Sequence, residues 1–334
     1  MTIKRQHMAS QLNAYEMASR SRPSSPRYKL PAPSRRLWLI LSLSLVLLLL
    51  VSIDACGSVF RRANSLGRRC SPPVADSDKA GAGLKVAIVS FSEESRRGSR
   101  RRSFQGLMEM VRGNKKAYAD KKGYHFVDAS NMIDKRRPAS WSKIIAVKAL
   151  LPYYDWVFWN DAVSFCSDPK LCVTDTLVTN STISLENILQ AVTGTTDFNS
   201  SPDLVLTEDF TGVNAGLFFV RRSKWSVDFL NTWWNQTAFV RFGSSKSGDN
   251  DALKHLIKQL PPDELRNHVR IPPMQCIFNS YPWIPTWKTA LRLFSSPSTI
   301  WNGAYSYGDF MVHLAGLDEK TRWAAEILRE LEED

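Results

Sequence analysis

The chain has 334 residues, 43% hydrophobic and 23% charged, enough for one large domain or two small ones with a real core. That composition excludes a wholly disordered chain and a collagen, and five cysteines are too few for a disulfide-stapled miniprotein. The formal net charge is +12, but residues 1–80 hold 13 Lys and Arg against 4 Asp and Glu, so residues 81–334 carry only +3; a nucleic-acid binder concentrates its basic residues on the folded domain, and nucleic acid is not an expected partner.

Residues 1–36 are rich in Ser, Pro and Arg and read as a disordered basic tail. Leu37–Ile53, LWLILSLSLVLLLLVSI, follows with no charge and only three serines. A membrane span needs roughly 20 apolar residues, with about 17 as the lower limit, and short spans suit the thinner membranes of the early secretory pathway. A 36-residue leader is too long for a typical cleaved signal, and Ser52-Ile53-Asp54-Ala55 is a poor cleavage site, so the segment reads as a transmembrane signal anchor. Eight Lys and Arg precede it, against Arg61, Arg62, Arg68 and Arg69 after it. This bias puts the N-terminus in the cytosol and the folded part in the lumen, a single-pass type II arrangement. Residues 54–83, with Gly57, Pro72 and Pro73, read as a flexible stem, and a lumenal domain is expected over 84–334. Asn180, Asn199 and Asn235 each open an N-glycosylation triplet. In an oxidising lumen Cys166 and Cys172 are near enough in sequence to close a short loop, Cys56 and Cys70 lie where they can pair between chains, and Cys276 reads as a buried free thiol. No cysteine spacing indicates zinc.

Structure is expected from Leu84. The apolar, β-branched run Lys85–Phe91 reads as a buried strand, followed by the basic loop RRGSRRR at Arg96–Arg102. Phe104–Lys122 is helical in pattern and stops at Gly123. Tyr124–Val127 is a second strand, Trp141–Leu151 a helix with Ser140 as its cap, and Asp155–Trp159 a third strand ending at Asn160-Asp161. Leu204–Leu206 and Leu217–Val220 read as further strands, and Trp225–Trp234 and Asn250–Gln259 as helices. Alternating strands and helices predict an α/β fold with a mainly parallel sheet covered on both faces. Ligands then sit beyond the carboxyl ends of the strands, where Asp161 stands. Trp156, Trp159, Trp233 and Trp234 have core spacing, whereas Trp283, Trp287 and Trp301 lie among prolines and loops, where a flat ring can line an acceptor groove or pack in the core.

The motifs are short but ordered: Pro138-Ala139-Ser140-Trp141-Ser142-Lys143-Ile144; LPYYDWVFWNDA ending at Ala162; Gly212 to Arg221, GVNAGLFFVR; Gly248-Asp249-Asn250-Asp251-Ala252-Leu253; Gln275 to Pro282, QCIFNSYP; and Val312-His313-Leu314-Ala315-Gly316. In this order the chain resembles glycosyltransferase family 34, which includes fungal α-galactosyl- and α-mannosyltransferases and plant xyloglucan xylosyltransferases. The resemblance runs from about Leu84 to Arg322, and the Pro-Ala-Ser-Trp-Ser-Lys-Ile and Asn-Ser-Tyr-Pro stretches look nearer the fungal branch.

The resemblance implies a GT-A, Rossmann-like nucleotide-diphospho-sugar transferase fold and retaining transfer of a hexose or pentose from a UDP- or GDP-sugar to a glycan, with Mn2+ or Mg2+, in the Golgi membrane. Asp161 matches the first residue of the family's Asp-x-Asp metal motif, Val163 stands where the second carboxylate belongs, and His313 matches a histidine that completes the metal site. Asp249 and Asn250 fall where the family holds an acidic or amide residue near the anomeric carbon. Asp249 there either stabilises positive charge on the sugar or attacks it, and it can also serve as a helix N-cap. Lys143, Asp209, Asn214 and Gly216 are the implied donor-binding residues. The missing carboxylate at Val163 leaves an alternative, an inactive pseudo-glycosyltransferase binding nucleotide sugar or glycan within a complex. Oligomers with itself or with other glycosyltransferases remain open.

Overall fold

A computed structural model describes residues 34–70, 83–91, 102–161, 176–195, 197, 200, 202–243, 246–284, 286–314 and 320–333, with the side chains of 45–54, 102–111, 320–321 and 331–333 outside that description. Val163, Cys166, Cys172, Asn199 and nearly all of the basic Arg96–Arg102 loop therefore lie outside the described residues. The chain divides into two compact units, Met1–Ser52 and Ile53–Asp334. The first contains most of helix α1 (Arg35–Arg61), which carries the apolar Leu37–Ile53 stretch. Among the described residues no helix is long and apolar enough to cross a membrane.

The second unit is built on a six-stranded sheet. Strand β1 (Val86–Ser90) leads to helix α2 (Arg102–Lys122) and strand β2 (His125–Asp128). Helix α3 (Ser142–Leu150) then feeds β3 (Trp156–Asn160), and the short β4 (Thr176–Val178) precedes helix α4 (Leu185–Thr193). Strands β5 (Leu204–Asp209) and β6 (Gly212–Arg221) form a hairpin around Phe210-Thr211. Helices α5 (Lys224–Trp234), α6 (Asp249–Gln259) and α7 (Pro262–His268) lead to β7 (Val269–Arg270). Helices α8 (Trp287–Ser295) and α9 (Pro297–Gly303), strand β8 (Met311–His313) and helix α10 (Lys320–Glu333) complete the unit.

The strand order is β2-β1-β3-β6-β5-β7, with β4 and β8 paired separately. Parallel pairing joins β1 to β2 and β3, and β5 to β7, but β6 runs antiparallel to both β3 and β5. The sheet is therefore mainly parallel, as expected, with β6 the strand of this sheet that runs against the other five. A period-2 apolar pattern has no direction, and the two-residue turn at Phe210-Thr211 reverses the chain.

Both faces are buried, as alternation along the strands dictates. Ala87, Val89, Val157, Trp159, Phe218 and Val220 pack on one side against α3, α5 and α6. Val86, Ile88, Trp156, Phe158, Leu217 and Phe219 pack on the other against α2, α4 and Phe310. Local chemistry places the helices: Ser184 and Asn187 make a reciprocal capping box on α4, and the Ser223 hydroxyl accepts the Ser226 amide at the start of α5.

The segment read as a flexible stem is folded through Cys70. Phe60 packs tilted against Trp283, ring centroids 4.6 Å apart, and Arg61 pairs with Glu330 at 2.8 Å. Arg68 is buried, forks onto both Asp309 oxygens at 3.0 and 2.8 Å and donates to the Trp301 carbonyl. A buried guanidinium is tolerable only when its donors are satisfied, as here. Cys70 forms a disulfide with Cys276, their Cα atoms 5.6 Å apart. This overturns the reading of Cys276 as a free thiol and of Cys70 as an interchain partner of Cys56; a bridge across 206 residues leaves no trace in local spacing.

Candidate active site

The site forms where β3 ends beside a distortion in β6. Leu206 pairs with Phe218, but the next residue, Thr207, pairs with Asn214, so Ala215, Gly216 and Leu217 bulge out of the β5 ladder. The other edge of β6 stays paired with β3 up to Asn160 opposite Leu217, and the Asp161 amide donates to the Gly216 carbonyl at 2.8 Å. The bulge thus presents its backbone beside the Asp161 carboxylate.

Gly216 is required there by space. A Cβ on it would lie 2.4 Å from Cε1 and 3.2 Å from Nε2 of His313, and 2.9 Å from the Asn214 Oδ1. His313 comes from the end of β8, opposite Thr176 of β4, and the Thr176 hydroxyl donates to the Asp161 carbonyl at 2.7 Å. Asp161 and His313, 152 positions apart in sequence, therefore flank one glycine.

Lys143 lies at the centre, on the first turn of α3. Its buried ammonium donates to Asp161 Oδ2 at 3.3 Å and to the Ala215 carbonyl at 3.0 Å, and pairs with Asp161 Oδ1 at 3.0 Å and Asp249 Oδ2 at 3.1 Å. Burial opposes its charge, but Asp161 and Asp249 outweigh that and raise its pKa well above the ordinary lysine value. Burial likewise opposes ionisation of Asp249, yet Lys143 and the Ser247 and Ser140 hydroxyls hold its pKa below the usual carboxylate range. The indole N–H of Trp159 donates to Asp161 Oδ1 at 2.7 Å.

Asp249 is the first residue of α6, not its N-cap. Gly248 takes the cap position at φ +93°, where a Cβ would collide with the Phe239 carbonyl at 1.7 Å. Ser140 is not the cap of α3 either. That helix starts at Ser142 after a single 3-10 turn, and the Ser140 hydroxyl reaches Asp249 Oδ1 at 3.1 Å. Asn250 Oδ1 accepts the Ala215 amide at 2.8 Å, tying α6 to the bulge. Asn214 donates to Asp209 Oδ2 at 3.1 Å and to the Tyr281 hydroxyl at 2.9 Å, and Tyr281 donates to the same Asp209 oxygen at 2.9 Å.

The fold thus brings Lys143, Asp161, Asp209, Asn214, Gly216, Asp249, Asn250 and His313 together. The sequence reading gives Ser140 only a capping role and assigns none to Thr176, Ser247, Asn279 or Tyr281, all of which contact those groups. Asn279 and Tyr281 sit in the QCIFNSYP stretch, where polar residues between buried Phe278 and Pro282 were the available signal. Of the glycosylation candidates, Asn235 is exposed at the end of α5, whereas Asn180 is half-buried with its amide donating to the Gly308 carbonyl at 3.0 Å. Trp283 packs on Phe60, and Trp287 is exposed.

A divalent cation fits the donor set. Asp161 offers a hard, partly exposed oxygen, and the His313 imidazole, whose Nδ1 lies 2.9 Å from Asn279 Oδ1, faces the same glycine and is a ligand type that suits such a metal. With Asp209 and Asp249 the cluster carries three carboxylates against one ammonium, an excess that favours added positive charge.

Asp161 directly after the central strand β3, with His313 brought beside it from β8, puts the site at the carboxyl end of a strand in an α/β domain, where such sheets bind ligands. The chain belongs to the galactosyl transferase GMA12/MNN10 family, whose model matches residues 84–323. An uncharacterized alpha-1,2-galactosyltransferase of Schizosaccharomyces pombe is 27% identical over 222 residues, 61% of each chain. The probable alpha-1,6-mannosyltransferase MNN10 of Saccharomyces cerevisiae is 24% identical over 219 residues, 61% of this chain and 53% of its own length. The chain thus spans less than two thirds of these relatives. Among solved structures, a glycosyltransferase involved in the glycosylation of the major capsid of PBCV-1 overlaps with a TM-score of 0.44 at 14% identity, covering 75% of this chain and 100% of that one.

Proposed function

We propose that this chain is a metal-dependent glycosyltransferase of GT-A type that moves a hexosyl or pentosyl group from a UDP- or GDP-sugar to a glycan with retained configuration. In this reading Leu37–Ile53 anchors it in the Golgi membrane and the second unit is lumenal. The observation that carries the reading is the convergence of Asp161 and His313 on Gly216, with Lys143 bridging Asp161 to Asp249.

Asp161 and His313 would hold Mn2+ or Mg2+, which when bound neutralises charge on the departing diphosphate. Asn214 and Asp209, braced by Tyr281, present amide and carboxylate groups for sugar hydroxyls. Asp249 has Oδ1 engaged by Ser140 and Ser247 and Oδ2 by Lys143. A nucleophile needs an open lone pair in line with the reacting carbon. The engaged, ionised Asp249 therefore suits electrostatic stabilisation of the developing positive charge.

One observation favours a second reading, a nucleotide-sugar-binding subunit without turnover. Asp161 Oδ1 already faces both Lys143 and Trp159, and Val163 adds no carboxylate. Purified full-length chain incubated with UDP- and GDP-sugars, with and without Mn2+, separates the two. The enzyme hydrolyses or transfers from at least one donor, and Asp161→Ala lowers that rate about 100-fold or more. Binding without turnover on any donor supports the subunit, and an Asp161→Ala chain that stays fully active and Mn2+-dependent refutes the site. Resistance of the chain to alkaline extraction from membranes, with an N-glycan on Asn235, tests the topology.

A further inference from the structure

Helix α8 presents its large apolar side chains to solvent. A surface helix of a globular domain ordinarily turns that stripe to the core. In α8 no residue is buried, and Trp287, Leu291 and Phe294, which share one face at i, i+4 and i+7, are 72%, 59% and 85% exposed. Single exposed apolar residues are ordinary, but a stripe of large ones marks a contact surface. The Arg292 guanidinium of the same helix stacks over the ring of Phe210 at 3.4 Å, and Phe210 is exposed at the β5–β6 turn, next to Asp209 of the candidate site. Lys288 is exposed beside the stripe, and residues 265–308 contain no Asp or Glu.

We infer that α8 lies on the surface of a phospholipid bilayer, with Trp287, Leu291 and Phe294 set at the headgroup–acyl boundary and Lys288 and Arg292 reaching lipid phosphates. The inference takes its placement from the reading of Leu37–Ile53 as a membrane anchor. The segment that carries α8 is pinned on Phe60 at both ends: the Trp283 ring before it is centred 4.6 Å from Phe60, and the Trp301 ring after it 6.3 Å. A Cβ on Gly57 would touch the Trp283 ring at 3.5 Å. Gly57 is only four residues past Ile53, so the chain tethers it within about 14 Å of the end of the apolar stretch. A bilayer that takes up that stretch therefore has its interface near the foot of α8, which favours lipid over a protein or glycan partner. The composition agrees. Tryptophan favours the interface, leucine and phenylalanine insert below it, and lysine and arginine extend to the phosphates. With no carboxylate in residues 265–308, the segment itself offers those phosphates no repulsion. Because Arg292 lies on Phe210, lipid contact along this face also holds the Asp209 rim of the candidate site at the membrane surface.

The test uses the full-length chain labelled with fluorotryptophan, one copy per phosphatidylcholine nanodisc. The Trp287 and Trp38 fluorine lines are identified by their loss in Trp287→Phe and Trp38→Phe, and Trp38, inside the apolar stretch, reports the anchor separately. Doxyl-labelled phosphatidylcholine should cut the Trp287 line to less than about half its height, and a water-soluble nickel chelate should leave it nearly unchanged, because the face sits about 5–10 Å into the boundary. Leu291→Glu, which sets a carboxylate in the exposed stripe, should restore the Trp287 line and leave the Trp38 line broadened. A Trp287 line that responds only to the chelate, while Trp38 responds to the lipid probe, overturns the inference and spares the anchor. So does a Trp287 line shielded from both probes, as a covering protein segment would make it, or one shifted by an added oligomannoside. A Leu291→Glu chain whose Trp287 line stays as broad as the wild type's overturns it as well. A Trp287 line broadened by lipid with Trp38 untouched supports the contact of α8 and sinks the anchor reading instead, and neither line broadened sinks both.

Discussion

Lys143→Met is the sharpest perturbation of the site. Methionine keeps most of the volume and removes the ammonium that meets Asp161, Asp249 and the Ala215 carbonyl, each at 3.0–3.1 Å. Two carboxylates are left facing each other across an apolar side chain. Removing one partner of a buried ion pair costs about 3–5 kcal/mol, because the remaining charge is stranded. Asp249 keeps its serine donors and Asp161 is partly exposed, so both are cushioned, but neither is relieved of the other's charge. At roughly 2–4 °C per kcal/mol for a large domain, the melting temperature should fall by about 6–20 °C. Thermal unfolding of the full-length chain in detergent measures it. Adding Asp249→Asn to Lys143→Met removes one stranded charge and should recover about half of the loss. A Lys143→Met chain that melts within about 2 °C of the wild type refutes the idea that this lysine neutralises the site.

Three further outcomes follow from the same geometry. Because the Asp249 carboxyl is held below its ordinary value of about 3.9, its stabilisation is complete above that pH and is lost as pH falls through the lower folded value. The raised Lys143 contributes fully below about 10.4, so the melting difference between wild type and Asp249→Asn should be flat from about pH 5 to 9 and shrink only below about pH 4; a collapse between pH 5 and 7 contradicts the pairing. Gly216→Ala should displace the His313 ring, whose Cε1 would lie 2.4 Å from the new methyl, and cut donor turnover at least tenfold while Gly113→Ala, in open space on α2, does not. Cys70→Ser with Cys276→Ser should destabilise the second unit by about 2–4 kcal/mol, and reductant should lower the wild-type melting temperature to match; equal melting of wild type and variant would contradict a formed bridge.

Much of the sheet was legible because its strands are short, wholly apolar runs. Val86–Ser90 and Trp156–Asn160 fall within a residue or two of their expected bounds. Strand direction was not legible, since an apolar run such as Leu217–Val220 reads the same both ways, and it is the antiparallel β6 that carries the bulge. Asp161 stood out as a charge directly after a buried strand. Its partners Lys143 and Asp249 were named only through the family resemblance, because by themselves they look like ordinary helix residues until the fold opposes them. Asn279 was hidden for a related reason: the ring it meets lies 34 positions away. The folded stem was missed because Arg68 reads as a surface charge when Asp309 is not known to face it.

The central claim is that Asp161 and His313 jointly hold one cation where a nucleoside diphosphate binds. A crystal of the chain grown with Mn2+ and UDP or GDP, measured at the manganese absorption edge, tests it most directly. The account predicts an anomalous peak within bonding distance of an Asp161 oxygen, the His313 imidazole and the diphosphate. Nucleotide bound with no such peak, or a peak that touches neither side chain, contradicts it.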